Sequence, residues 1–153
     1  GFKGRKGTLY EGGIRVPFNV NQPGMVPIQT LDNLIYFPDM MPTLAALAKG
    51  TKHLPKQING INILPLFYGK QVDTDNRLLY WEFPGKQRAA RKGDWKCVTI
   101  HPNQPLELYN LKEDPEETNN LAKKYPRRVK EFDEEMQRMH IPTPNWPQPG
   151  EQF

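Results

Sequence analysis

The stretch from Arg77 to Met139 most constrains the fold, because it reads as four short strands, punctuated by turns and closed by one amphipathic helix. The strand candidates are Leu78-Leu79-Tyr80-Trp81-Glu82-Phe83, Arg88-Ala89-Ala90-Arg91, Trp95-Lys96-Cys97-Val98-Thr99-Ile100 and Glu107-Leu108-Tyr109-Asn110. Pro84-Gly85, Lys92-Gly93-Asp94 and Pro102-Asn103-Gln104-Pro105 separate them with turn chemistry. Strands this close in sequence form an antiparallel meander, since parallel pairing needs a long crossover. Residues 126–139 then place Val129, Phe132, Met136 and Met139 on one stripe at helical spacing, able to cap the sheet. Pro126 suits the first turn of that helix. The expected class is α+β, a four-stranded antiparallel sheet packed by a C-terminal helix.

Upstream of the meander the pattern is looser. Val16-Pro17-Phe18-Asn19-Val20 reads as a strand after a Glu11-Gly12-Gly13 turn, and a long connection follows. A helix is expected at 39–49, started by Pro38 and Asp39 and stopped by Gly50, with Met40, Met41, Leu44, Leu47 and Ala48 defining a buried face. Residues 51–76 are irregular. The expected division is 1–76, a strand-helix piece, and 77–153, the sheet subdomain. Its tail, 141–150, is proline-punctuated and extended, docking through Trp146.

Hydrophobic residues make up only 37% of the chain, with 16 prolines and 12 glycines. That suits a piece whose apolar neighbour lies elsewhere, so residues 1–50 are expected to open first and the unpaired strand edge allows self-association. The 21 basic and 17 acidic residues balance to +4, and no clustered Lys/Arg stripe marks a nucleic-acid surface. No apolar run is long enough for a transmembrane helix, so no membrane partner is expected. Cys97 is alone and reads as a small core residue.

The chemistry is concentrated at residues 4–17. Gly4 and Gly7 flank Lys6 and let the backbone approach a ligand, and a lysine presented this way is an oxyanion contact, a point charge with three donors. Elsewhere, His53, His101 and His140 show no metal-ligand spacing and read as surface or capping residues. Asp73-Thr74-Asp75-Asn76 reads as a solvated turn. The run Lys123, Lys124, Arg127, Arg128 and Lys130 reads as the outer face of the helix, with a polyanionic sugar as its alternative ligand.

Lys6-Gly7-Thr8, Tyr10-Glu11-Gly12-Gly13, Arg15 and Pro17 together resemble the lysine segment of the type I sulfatases, within the alkaline-phosphatase superfamily. The likeness continues in order through Asp39-Met40-Met41-Pro42-Thr43-Leu44, Asn59-Gly60-Ile61-Asn62-Ile63-Leu64-Pro65-Leu66, Ala89-Ala90-Arg91-Lys92-Gly93-Asp94-Trp95-Lys96, Glu107-Leu108-Tyr109-Asn110-Leu111 and Asp114-Pro115. The resemblance implies the C-terminal portion of a sulfuric-ester hydrolase acting on a sulfated carbohydrate or aryl sulfate, in the manner of N-acetylgalactosamine-6-sulfatase-like enzymes. It implies that Lys6 contacts the sulfate, that Glu11 and Arg15 are a structural pair, and that residues near Val16–Val20 join a large central sheet.

The family's nucleophile, a formylglycine made from Cys/Ser-x-Pro-x-Arg, and its calcium (or magnesium) ligands are implied to lie in a missing N-terminal part. Cys97 has no following Pro-x-Arg. The isolated chain is therefore expected to be inactive, and the longer protein periplasmic or secreted. In the family the 82–88 loop overhangs the active-site mouth; here Glu82, Gln87 and Arg88 are candidates to hydrogen-bond sugar hydroxyls, against a plain connecting turn. Two alternatives remain: a phosphate or phosphonate monoester hydrolase of the same superfamily, and a non-catalytic glycan-binding module.

Overall fold

The computed structural model describes residues 1–83, 87–145, 147, 151 and 152. The chain forms two compact units, Gly1–Val16 with Arg77–Phe153, and Pro17–Asn76. The lysine segment thus folds with the later sheet and not with the helix that follows it in sequence.

In the first unit β1 (Leu78–Phe83), β2 (Gln87–Lys92), β3 (Trp95–Thr99) and β4 (Glu107–Asn110) form one sheet in the order β1-β2-β3-β4, every pair antiparallel. Register follows the side-chain alternation of a pleated strand. Tyr80, Ala90, Cys97 and Leu108 are successive partners across the sheet and share one face. Helix α4 (Pro126–Met139) covers that face with Phe132 and Met136. Trp81, Ala89 and Val98 are partners on the other face, where Leu9 and Tyr10 of the lysine segment complete a second core with Tyr109 and Leu111. Both faces are therefore covered, and the adjacent alanines of β2 are small enough to admit a layer on each side. Cys97 is fully buried beside Ala90, Leu108 and Met136, and burial pushes its thiol up to about 12.

Two elements near the N-terminus differ from expectation. Glu11-Gly12-Gly13 is the start of a short helix, α1 (Glu11–Ile14), rather than an open turn. No strand forms at Val16–Val20; Val16 is 75% and Phe18 47% exposed, because a strand exists only by pairing and no segment among the described residues supplies a partner.

In the Pro17–Asn76 unit, a 3-10 turn at Phe37–Asp39 leads into α2 (Met40–Leu47). The apolar face expected on it is left open on this chain, with Met41, Leu44 and Leu47 51%, 59% and 52% exposed and Met40 half-buried, while Pro42 and Thr43 are the buried residues. Hydrogen bonding holds the buried side. The Asp39 carboxylate accepts the amides of Tyr36 at 3.0 Å and Ile61 at 2.9 Å, while Thr43 Oγ1 donates to Asp39 carbonyl at 2.6 Å and accepts from Ile63 N–H at 3.0 Å. Those bonds turn the polar edge of α2 toward the 61–63 loop. That loop enters α3 (Leu64–Phe67), one helical turn within the segment read as irregular, with Ile63, Leu66 and Leu34 buried. Asp73 accepts from the Asn76 side chain at 2.7 Å and from the Asn76 amide at 3.3 Å, forming a turn held by its own side chains. Trp146 and Pro84–Lys86, to which docking and turn roles were assigned, lie outside the described residues.

Candidate functional site

Lys6 stands at the tip of a tight turn. The Thr8 amide bonds Arg5 carbonyl at 3.1 Å, Thr8 Oγ1 donates to the same carbonyl at 2.9 Å, and Gly7 takes φ 94°, a conformation that favours glycine. Lys6 is exposed, and among the described residues its ammonium has no carboxylate partner. The following helix α1 folds back against this turn so closely that a Cβ on Gly13 would lie 2.0 Å from Thr8 carbonyl oxygen. A side chain at Gly13 would clash, and one at Gly7 would meet open space but a strained backbone.

Two sets of side chains fix the turn to the sheet. The Gln87 carboxamide accepts the Leu9 amide at 3.2 Å and donates to Gly7 carbonyl at 2.9 Å, bracketing Thr8 from β2. Beyond it, the fully buried Lys96 ammonium lies 2.9 Å from both Glu11 and Glu117, and Arg91 lies 3.8 Å from the other Glu11 oxygen. Two cations therefore face two carboxylates, which is how such charges tolerate burial. Glu117 also accepts the Glu11 amide at 2.7 Å, from a left-handed backbone at φ 56° that its carboxylate contacts hold in place. Burial raises the Glu117 pKa, with Lys96 opposing. Glu11 is thus structural, as expected, but its partners are Lys96 and Arg91; Arg15 stacks instead on the Phe2 ring, 4.5 Å from its centre.

A third anchor is Lys3, which donates to Tyr109 at 2.8 Å and to Glu107 at 3.2 Å and lies 4.1 Å from the centre of the Tyr10 ring. Burial alone would raise the Glu107 pKa, but hydrogen bonds from Tyr109, Tyr10 and Lys3 outweigh it and hold the carboxyl below its usual value. Lys96, Glu117, Lys3 and Glu107 carry no sequence signal of these roles, because Glu11 meets Lys96 and Glu117 at separations of 85 and 106 residues.

Of the other candidates only Gln87 lies at the lysine turn. Strand alternation puts Gln87 on the lysine-segment face and Glu82 and Arg88 on the α4 face. Arg88 reaches Asp133 of α4 at 3.5 Å. Glu82 accepts from Tyr80 hydroxyl and lies 2.5 Å from His140 Nδ1, while His140 Nε2 lies 2.5 Å from Glu151. With a carboxylate at each ring nitrogen, the imidazolium donates both ways. Burial alone would depress the His140 pKa, but the two carboxylates outweigh it and raise it above its usual value. His140 is therefore a clamp between β1 and the tail. His53 and His101 are exposed.

Among the described residues no group of three or more His, Cys, Asp or Glu is placed to hold a metal ion. Cys97 is sealed in the core as a protonated thiol. The described residues therefore offer no set that fits the calcium (or magnesium), and Cys97 does not fit the formylglycine, that the resemblance implies.

Residues 3–141 match the family described as N-sulphoglucosamine sulphohydrolase, C-terminal. The chain is 32% identical to a sulfatase of Formosa agariphila, over 80% of this chain and 25% of the relative. It is 29% identical to an N-acetylgalactosamine-6-O-sulfatase of Bacteroides thetaiotaomicron, over 87% of this chain and 29% of the relative. Among solved structures it superposes on Ps i-CgsB in complex with k-i-k-neocarrahexaose with a TM-score of 0.79 and 25% identity, covering 97% of this chain and 34% of that one. The chain thus spans between a quarter and a third of the length of these relatives.

Proposed function

The chain belongs to the N-sulphoglucosamine sulphohydrolase C-terminal family, and from that premise we propose that it works within a longer sulfatase that hydrolyses sulfate esters of glycans, with Lys6 contacting the sulfate. The observation that carries this is an exposed, unpaired lysine at the tip of a turn held by Gln87 and, through Glu11, by the buried Lys96. A cation held by a rigid mount acts on the charge that grows on sulfate oxygens as the ester bond breaks, without reorganising. One such preorganised contact contributes on the order of 3 kcal/mol of transition-state stabilisation. Lys6 needs no proton transfer for this; it binds and orients.

In this reading Gln87 positions the turn rather than meeting sugar hydroxyls, since its carboxamide already bonds Gly7 and Leu9. Glu82 and Arg88, engaged with His140 and Asp133, tie β1 and β2 to α4 and the tail. The nucleophile and any metal ion would have to come from elsewhere in the longer enzyme, and we expect the isolated chain to release no sulfate.

The test is Lys6→Ala in the longer protein, assayed on an aryl sulfate and on a sulfated oligosaccharide. We expect kcat/KM to fall about 100-fold with unchanged thermal unfolding. A change below about threefold removes Lys6 from the site. Faster wild-type turnover of an aryl phosphonate than of the sulfate would replace the sulfatase assignment.

A further inference from the structure

We propose a second anionic-glycan site, on the face of the sheet opposite Lys6, in a groove at the start of α4. The groove encloses about 410 Å3 and is lined by Lys124, Tyr125, Pro126, Arg127, Arg128 and Glu131. The lysine segment covers one face of the sheet and α4 covers the other, so this groove is separate from the lysine turn.

Three cations converge there against one carboxylate, and among the described residues none of Lys124, Arg127 and Arg128 forms an ion pair. One turn further along, Lys130 is paired with Glu134 at 3.8 Å. Two of these cations rest on aromatic rings. The guanidinium carbon of Arg128 lies 4.4 Å from the Trp95 ring centre, and Trp95 meets Tyr125 edge-to-face at 5.3 Å between centres. Lys124 reaches over the Tyr125 ring at 5.4 Å. An arginine seated on an aromatic face keeps its donor edges free for bidentate bonds to an oxyanion, and less side-chain freedom is lost on binding.

Cations with no ion pair among the described residues, beside the half-buried Trp95–Tyr125 pair, match one chemistry well, that of a sulfated sugar. Sulfate oxygens take the arginine edges, and apolar C–H groups of the pyranose pack beside the half-buried Tyr125. Two other polyanions fit less well. A nucleic acid needs cations tracking a backbone, and the net charge is only +4. A membrane needs an apolar face to insert, and that of α4 is spent on the sheet through Phe132 and Met136. The site would hold a remote residue of a polymeric substrate while another reaches Lys6. Only that last role rests on the function proposed above; the binding does not.

The experiment titrates the full chain with a chondroitin 6-sulfate hexasaccharide near physiological salt, followed by amide chemical shifts and calorimetry. We expect shifts centred on residues 124–131. Lys124→Glu/Arg127→Glu, at exposed positions outside the core, should weaken binding about tenfold or more with unchanged unfolding. Arg128→Lys, which keeps the charge but not the planar fork, should weaken it severalfold, and Lys6→Ala should leave the shifts at residues 124–131 in place. Equal binding of the desulfated hexasaccharide, of single-stranded DNA of matched charge, or of anionic vesicles would overturn the assignment. So would retained affinity in the double variant. Loss of binding in Lys6→Ala would move the ligand to the lysine turn, ending this proposal while leaving the catalytic one standing.

Discussion

The two compact units are stabilised by different means. The sheet unit has buried side chains from all four strands, from α4 and from the lysine segment, with Leu79, Ala89, Ala90, Cys97, Val98, Leu108 and Met136 at 0–1% exposure. The Pro17–Asn76 unit buries few large apolar residues, chiefly Leu34, Ile63 and Leu66, while Phe37, Leu44, Leu47 and Ile28 stay open to solvent. Its order comes from side chains that bond the backbone: Asp39, Thr43 and Thr74, each buried to 0–1% exposure. Thr74 Oγ1 accepts the Leu34 amide at 3.1 Å, as Thr43 accepts that of Ile63. Hydrophobic burial scales with area and supports a whole layer, whereas such hydrogen bonds support only the loops they join. A meander can build its core from neighbouring strands; a helix flanked by long connections cannot.

The largest effect that would sharpen this contrast is at Lys96. Replacing it by Ala leaves Glu117 without its cation and Glu11 with only Arg91 at 3.8 Å, and we expect a loss of about 3–5 kcal/mol in denaturant unfolding. Hydrogen exchange should then show residues 1–16 released from the sheet. If the loss is under about 1 kcal/mol, the apolar contacts of Leu9 and Tyr10 hold the segment by themselves. In the wild type, residues 1–16 should exchange with the sheet and residues 17–76 should open first, at a sub-global free energy.

Thr43→Ala should have a smaller and local effect. It leaves the Ile63 amide without its acceptor, at about 1–3 kcal/mol, and should speed exchange at Ile61 and Ile63 without changing that of β3. Equal acceleration in β3 would mean that the two units unfold as one. A weaker effect is expected from pH. Because the folded-state pKa of His140 is raised, its clamp is fully present below about pH 6.5, the unfolded value, and is lost as pH rises through the folded value. Thermal unfolding should therefore decline slightly over that window in the wild type and not in His140→Ala; a parallel decline in both would remove the clamp from the account. The smallest effect belongs to Leu44→Ala on the open face of α2, within about 0.5 kcal/mol. A cost of several kcal/mol there would show that the face is covered in solution.

Much of the sheet unit was legible from sequence. Each strand is short, bounded by turn residues, and periodic, and the stripe of Phe132 and Met136 in residues 126–139 points to the face it covers. These are local signals, carried by neighbours within one turn or one strand. The reading failed where the outcome depended on a partner. Val16–Val20 has the composition of a strand but nothing to pair with among the described residues, and the one buried side of α2 is the one tied to residues 61–63 through Asp39 and Thr43.

The same boundary runs through the candidate site. The sequence by itself determined the family, the lysine turn with its required glycines, and the order of strands and helix. Only the tertiary structure decided that Gln87 braces that turn, that Glu11 meets Lys96 and not Arg15, that Glu82 and Arg88 lie across the sheet from Lys6, and that Arg128 rests on Trp95. The physical reason is range. Propensity, turn chemistry and periodicity act over a few residues, while a buried charge finds its counterion only after the chain has brought distant segments together, and no spacing in the sequence encodes that meeting.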